Sequence, residues 1–336
     1  MASEQEIRDA LSSVLVPQAA RSVTDLNLVR SIQVGDGKVK VTLASTALSD
    51  GAKEWVASHA RSAIEGMPGV KEASLDFVEA APQEINRIRH SVAVMSGKGG
   101  VGKSLVTALL AIALNRQGHK VGILDADITG PSIPKMFGIN SHPGGSPSGI
   151  LPVQSESGVS VMSINLLLPA EDEAVIWRGP LIAKAIQQFW QEVLWGELDC
   201  LMVDLPPGTA DAPLTVMQSI PLSGVVIALT PQDLTAMVVR KAVKMAKTMN
   251  IPVLGVVENM SYFVVPETDK RIEIFGKSRG AEMAEVAGAP LLGQLPLDPE
   301  LARLCDEGCI ERYASEAFDG LARSFVDTLM NGKGQT

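Results

Sequence analysis

The feature that most limits what this chain can fold into is the run Gly97-Lys98-Gly99-Gly100-Val101-Gly102-Lys103-Ser104. It matches G-x-x-x-x-G-K-[ST] at every fixed position. An apolar run, Val92–Met95, precedes it, and a helix-forming stretch from Lys103 to about Gln117 follows. Glycines let successive backbone N–H groups wrap a phosphate, and the helix N-terminus adds positive potential. Lys103 is placed to reach the β- and γ-phosphates, and the Ser104 hydroxyl to ligate Mg²⁺. Gly97, Lys98, Gly99, Gly100, Val101, Gly102, Lys103 and Ser104 are therefore the candidate nucleotide contacts. A plain glycine turn between strand and helix is the competing reading, and the complete motif in this context favours the phosphate loop.

The rest of the chain agrees with that start. Short apolar runs at Val121–Asp125, Val159–Ile164, Cys200–Asp204, Val225–Leu229 and Val253–Val257 alternate with helical stretches. Buried strands separated by helices predict an α/β fold with a mainly parallel sheet covered on both faces. At 336 residues there is room for a second domain. Residues 1–80 read as a small α+β unit. Ser3 and Glu6 form a capping box for a helix to about Leu15. Strands follow at Leu28–Val34 and Lys38–Ala44 around Gly35-Asp36-Gly37, then a helix at Ala52–Gly66 and a strand at Val70–Val78. Residues 81–90 read as a linker, 91–336 as the nucleotide-binding domain, and Ser141–Gly149 as a surface loop.

Composition narrows the partners. The charge sum is 29 − 38 = −9, which repels nucleic-acid backbones and anionic lipid. Aromatics at 4% give little to stack bases on. The reading is no nucleic acid and no membrane. Three cysteines make no disulfide framework, and His59, His90, His119 and His142 lack zinc-ligand spacing. The polar start lacks an apolar signal core, and no apolar run is long enough to span a bilayer, so a soluble, cytoplasmic protein is expected.

Two strand ends carry acids. Asp204 closes Leu198–Asp204 and is placed to hold magnesium through water. Asp127, just after Ile123-Leu124-Asp125, is placed to orient the attacking water. For Asp125 and Asp211 a site role and a plain strand-end or loop role remain equally open. Cys305 and Cys309, spaced C-x₃-C around Gly308, read either as small core residues or as metal-ligating thiols. Cys200 lies inside an apolar strand and reads as core.

Lys98 makes the loop a "deviant" Walker A, which resembles the ParA/MinD/nitrogenase-iron-protein class of dimeric P-loop ATPases. Asp125–Pro134, Trp177-Arg178-Gly179-Pro180, Asp204–Thr209, Thr230-Pro231-Gln232-Asp233-Leu234 and Val257–Phe263 together resemble the Mrp/ApbC family. That resemblance implies an iron–sulfur cluster carrier that binds and slowly hydrolyses ATP as a homodimer and delivers clusters to apoproteins or works with assembly factors. It further implies that Lys98 crosses the dimer interface, that Asn259 hydrogen-bonds adenine, and that residues 1–80 resemble iron–sulfur assembly factors. Asn259 as a mere turn residue is the alternative.

One departure matters. The family usually carries Cys-x-x-Cys after its Asn-Met-Ser-Tyr-Phe segment, where paired subunits hold a bridging cluster. Here Phe263-Val264-Val265-Pro266-Glu267-Thr268-Asp269 has none, and Leu43–Ser49 lacks the cysteine often found in the first domain. Valine and threonine cannot supply thiolate. Cys305 and Cys309 are then the candidate cluster pair. A cluster-less, ATP-switched adaptor is the alternative function, with a MinD/ParA-like positioning ATPase behind it. Phe318, Leu321, Phe325 and Leu329 follow a helical period with an acidic polar face, which reads as core packing rather than membrane gripping.

Overall fold

The computed structural model describes residues 2–127, 130, 132–167, 179–209, 211–232, 235–266, 268 and 270–332. Ile128, Thr129, Pro131, Trp177, Arg178, Asp233, Leu234, Glu267 and Asp269, all within the motifs named above, lie outside the described residues. The chain divides into two compact units, one of residues 1–88, 142–154 and 188–198, the other of residues 89–141, 155–187 and 199–336. Two later segments, 142–154 and 188–198, cluster with the first unit rather than with their neighbours in sequence.

The first unit begins with α1 (Glu4–Leu11). Its Ser3 hydroxyl accepts from the Glu6 N–H, and the Glu6 carboxylate accepts from the Ser3 N–H at 2.7 Å, completing the capping box. The helix stops short of Leu15 because the hydroxyls of Ser12 and Ser13 take the carbonyls of Asp9 and Ala10. A three-stranded sheet follows: β1 (Val29–Gly35), antiparallel to β2 (Lys38–Ala44), which runs parallel to β3 (Glu72–Val78). α2 (Asp50–Glu65) joins β2 to β3. Strand alternation sends Val39, Val41 and Leu43 inward to meet Ile7, Leu11, Val56, Ala60 and Ile64. The opposite face is wet and carries the Lys38–Glu72 and Lys40–Asp76 pairs.

Specific polar contacts bind the returning segments. Asn86 donates to the Val193 carbonyl at 2.9 Å and accepts from the Gly196 N–H at 3.0 Å. The Arg21 guanidinium donates to the carbonyls of Trp195, Asp25 and Glu197. Leu151 and Leu194 join the apolar cluster. The stretch expected as a loop at Ser141–Gly149 contains two short antiparallel strands, Gly144–Ser146 and Gly149–Leu151. A Cβ on Gly145 would lie 2.3 Å from the Gly149 carbonyl oxygen, so only glycine permits that approach.

Apart from residues 87–88, 188–192 and 197–198, which cluster with the first unit, the second unit holds β4 (Arg87–Ser96), α3 (Lys103–Asn115), β5 (Val121–Asp125), β6 (Ser160–Ser163), α4 (Gly179–Glu192), β7 (Glu197–Asp204), α5 (Asp211–Ser219), β8 (Gly224–Leu229), α6 (Thr235–Thr248), β9 (Val253–Glu258), α7 (Gly280–Ala287), β10 (Leu291–Gln294), α8 (Pro299–Asp306) and α9 (Glu316–Asn331). The strand order is β6-β5-β7-β4-β8-β9-β10. The β6–β5, β5–β7, β4–β8, β8–β9 and β9–β10 pairings are all parallel. The chain leaves β4 toward one edge and later toward the other. That reversal places a ligand crevice at the carboxyl ends of the central strands. The apolar face of α9 is used internally: Phe318, Leu321 and Phe325 are buried, and the helix packs on α3 and β10.

Replacing Phe325 by Ala should cost the second unit about 3–5 kcal/mol, since a fully buried aromatic leaves a cavity the surroundings cannot fill. Urea unfolding followed by circular dichroism measures this; a loss below about 1 kcal/mol would mean that α9 is not core.

Candidate nucleotide site

Strand register assembles the acidic half of the site. In the β5–β7 pairing Asp204 stands opposite Asp125, and in the β6–β5 pairing Ser163 stands opposite the same Asp125. Three strand ends therefore finish level with one another. Asp125 and Asp204 are fully buried and Asp127 nearly so. Asp125 is held by the Ser163 hydroxyl at 3.2 Å and by the Asp127 N–H at 3.2 Å.

The basic half comes from the loop after β4. Lys103 opens α3, and its ammonium reaches Asp204 Oδ1 at 2.7 Å and Asp127 Oδ2 at 3.4 Å. The Ser104 hydroxyl donates to Asp204 Oδ2 at 2.5 Å. One turn along the helix, the Thr107 hydroxyl lies 2.9 Å from Asp204 Oδ1 and 3.0 Å from the Lys103 carbonyl oxygen. One ammonium thus stands against three carboxylates. Burial, reinforced by the charge of Asp204, pushes the Asp125 carboxyl up to about 8. Burial also raises Asp204, while Lys103 and the Ser104 and Thr107 hydroxyls pull the other way.

Glycine geometry fixes the loop. Gly100 and Gly102 have φ of +78° and +81°, in the left-handed region that favours glycine. A Cβ on Gly102 would sit 2.1 Å from the Asn259 Nδ2, and one on Gly97 would sit 1.5 Å from the Val238 Cγ1. Asn259 is buried, and its Nδ2 donates to the Val101 carbonyl at 3.0 Å. It therefore braces the phosphate loop from β9. The Lys98 ammonium donates to the Gln232 side-chain oxygen. The Ser96 hydroxyl donates to the Lys98 carbonyl, and Gly99 and Gly100 are exposed.

The residues expected at the nucleotide are thus divided. Lys103, Ser104, Asp127 and Asp204 meet directly; Lys98 is held by Gln232 instead, and Asn259 by the Val101 carbonyl. Asp211 is exposed at the start of α5, where its carbonyl accepts from Thr215. Asp125, whose role the sequence left open, lies inside the site, and Thr107 and Ser163 are partners that motif reading did not select. Glu258, next to Asn259, is another: its carboxylate accepts from Ser261, Ser278, Gln294 and the Arg279 N–H. Burial opposes its charge, yet those hydrogen bonds together hold its pKa below the ordinary value.

The thiols lie elsewhere. Cys200 is buried in β7, and burial pushes its thiol far up. Cys305 is in the last turn of α8, half-buried, its thiol pushed up to about 11 by burial and by Asp306. Cys309 follows the left-handed Gly308. Among the described residues no group of three or more His, Cys, Asp and Glu side chains could hold a metal ion. Phe263–Val264 pairs antiparallel with Arg271–Ile272.

A glycine loop running into a helix, with lysine and serine facing strand-end aspartates across a parallel sheet, defines a P-loop nucleotide-binding protein. Residues 87–329 match the family of NUBPL iron-transfer P-loop NTPases, and residues 4–75 match the iron-sulfur cluster assembly protein family. The chain belongs to the first of these families and carries the second as its N-terminal region. It is 46% identical over 257 residues to a Methanocaldococcus jannaschii iron-sulfur cluster carrier protein, covering 75% of this chain and 89% of that one. It is 40% identical over 331 residues to a Deinococcus radiodurans protein of the same name, covering 94% and 93%. A nucleotide-binding protein from Archaeoglobus fulgidus, solved in complex with ADP and with cobalt found, shares 47% identity at a TM-score of 0.62, covering 69% of this chain and 91% of that one.

Two predictions follow from the geometry. Gly102→Ala forces a left-handed φ on alanine and drives its Cβ into Asn259, so affinity for a fluorescent ATP analogue should fall at least roughly tenfold, the equivalent of about 1.4 kcal/mol. Asp125 has a folded-state pKa above its unfolded one. The stabilisation from its bound proton is complete below about pH 4 and is lost as pH rises toward about 8. Asp125→Asn should therefore raise the melting temperature of the nucleotide-free protein more at pH 8 than at pH 5. An equal shift at both would show that Asp125 carries no bound proton.

Proposed function

We propose that this chain binds ATP between two copies of itself, hydrolyses it slowly, and uses the cycle to deliver iron–sulfur clusters to apoproteins in the cytoplasm. The observation that carries the nucleotide part is the meeting of Lys103, Ser104, Asp127 and Asp204 at the mouth of the glycine loop. These groups suit magnesium and triphosphate together: hard oxygen donors for the metal, a buried ammonium and helix N-terminus for the anion. The Ser104 hydroxyl and Asp204 would hold Mg²⁺, which would supply positive charge against the triphosphate.

The protein's own groups divide the remaining work. The amides of Gly99–Ser104 and the Lys103 ammonium bind the phosphates. Asp127 orients the water that attacks the γ-phosphorus, with the β–γ bridging oxygen as leaving group. Lys98 reaches the nucleotide of the second subunit. Asn259 holds the loop and stands near where the adenine would lie. Slow turnover suits a switch between closed and open dimers with different affinities for cargo or client.

The cluster is cargo. The names of the Methanocaldococcus and Deinococcus relatives support the carrier reading, as does the assembly-type N-terminal region. In this chain Cys305 and Cys309 are the pair to supply thiolate, with two subunits contributing. One observation favours a second reading, an ATP-switched adaptor without a cluster: residues 263–272 carry no cysteine, and burial disfavours thiolate at Cys305.

Two measurements test these readings. Lys103→Ala should reduce phosphate release from ATP to the blank, while retained turnover would remove the assigned site. Anaerobic reconstitution with iron and sulfide should give charge-transfer absorption and iron in stoichiometric amount, lost in Cys305→Ser and Cys309→Ser. Absent iron in the wild-type protein would exclude cluster carriage and favour the adaptor.

A further inference from the structure

We propose that Gln232 is a positioning residue for Lys98, holding its ammonium against its own subunit until a nucleotide-loaded second copy offers phosphate. The inference rests on the reading of Lys98 as a group that acts across the dimer. It starts from a contact inside one chain: the Lys98 ammonium donates to the Gln232 side-chain oxygen.

Three features make this contact a restraint that can be released. First, Lys98 has no duty in the acidic cluster, where Lys103 already faces Asp204 and Asp127. Second, the partner is neutral. Lys38, Lys40 and Lys53 each lie within 3.1 Å of a carboxylate, whereas among the described residues Lys98 forms no ion pair. Its positive charge is therefore held without being neutralised, and a triphosphate outcompetes an amide oxygen for it. Third, both ends of the contact are fixed in the backbone. The Ser96 hydroxyl anchors the Lys98 carbonyl at 3.0 Å, so the freedom to leave Gln232 lies in the side chain. Gln232 follows buried Thr230 and Pro231 at the end of β8, and the helix beyond it presses Val238 against Gly97. The amide is thus held beside the loop.

The choice of glutamine over glutamate sets the strength of the restraint. A carboxylate at position 232 would form an ion pair with Lys98 and compete with the incoming phosphates, in a manner that salt weakens.

The test is dimer formation driven by magnesium and a non-hydrolysable ATP analogue, followed by analytical ultracentrifugation. Gln232→Glu should raise the analogue concentration for half-dimerisation by roughly fivefold at low salt, with the difference shrinking as salt rises from about 50 to about 500 mM. Gln232→Ala should lower it. In a Lys98→Ala background Gln232→Glu should add nothing. Wild-type behaviour in both Gln232 variants, or a Gln232→Glu effect that persists without Lys98, would overturn the proposal. Lys98→Ala alone dimerising like wild type would instead remove the cross-subunit reading beneath it. Melting temperatures of the variants separate these outcomes from misfolding.

Discussion

The structure depends on one ammonium surrounded by acids. Lys103 lies against Asp204 and Asp127, with Asp125 packed behind them. Burying charge without compensation is expensive, and one cation cannot neutralise three carboxylates. The molecule responds by raising the Asp125 carboxyl toward its neutral form and by surrounding Asp204 with the hydroxyls of Ser104 and Thr107. What results is a site short of positive charge beside the acids and rich in donors at the loop. A magnesium ion carrying a polyphosphate meets both conditions at once.

The sheet makes that arrangement unavoidable. Parallel pairing sets Asp204 opposite Asp125 and Ser163 opposite Asp125, so the carboxylates cannot separate without breaking register. The loop is fixed as firmly from the other side. Gly102 is closed off by Asn259 and Gly97 by Val238, each at a distance no side chain tolerates. Asn259 in turn follows Glu258, a buried carboxylate held by Ser261 just after β9, by Ser278 and Arg279 just before α7, and by Gln294 of β10. The phosphate loop, the strand end behind it and the first turn of α7 are therefore one hydrogen-bonded assembly.

Much of this was legible in the sequence, for local reasons. The glycine motif names its own residues, the apolar runs mark their strands, and the 3.6-residue period of Phe318, Leu321 and Phe325 marks a helix that packs inward. Thr107 and Ser163 were not singled out, and Asp125 stayed undecided, because their roles arise from neighbours 38 to 97 positions away, set by the register of strands that are not consecutive. The returning segment at 188–198 escaped for a similar reason: Arg21 and Asn86 bind it through backbone groups, which leave no side-chain signature. The missing cysteines of residues 263–269 were visible at once, since an absence of thiol needs no structure to recognise.

Isothermal calorimetry of the purified chain with ATP, in the presence of magnesium and again with the metal chelated, tests the central claim most directly. A lysine ringed by buried acids predicts saturable binding that weakens sharply without magnesium, because the γ-phosphate would then face Asp127 and Asp204 uncompensated. No heat of binding, or equal affinity with and without the metal, would contradict the account.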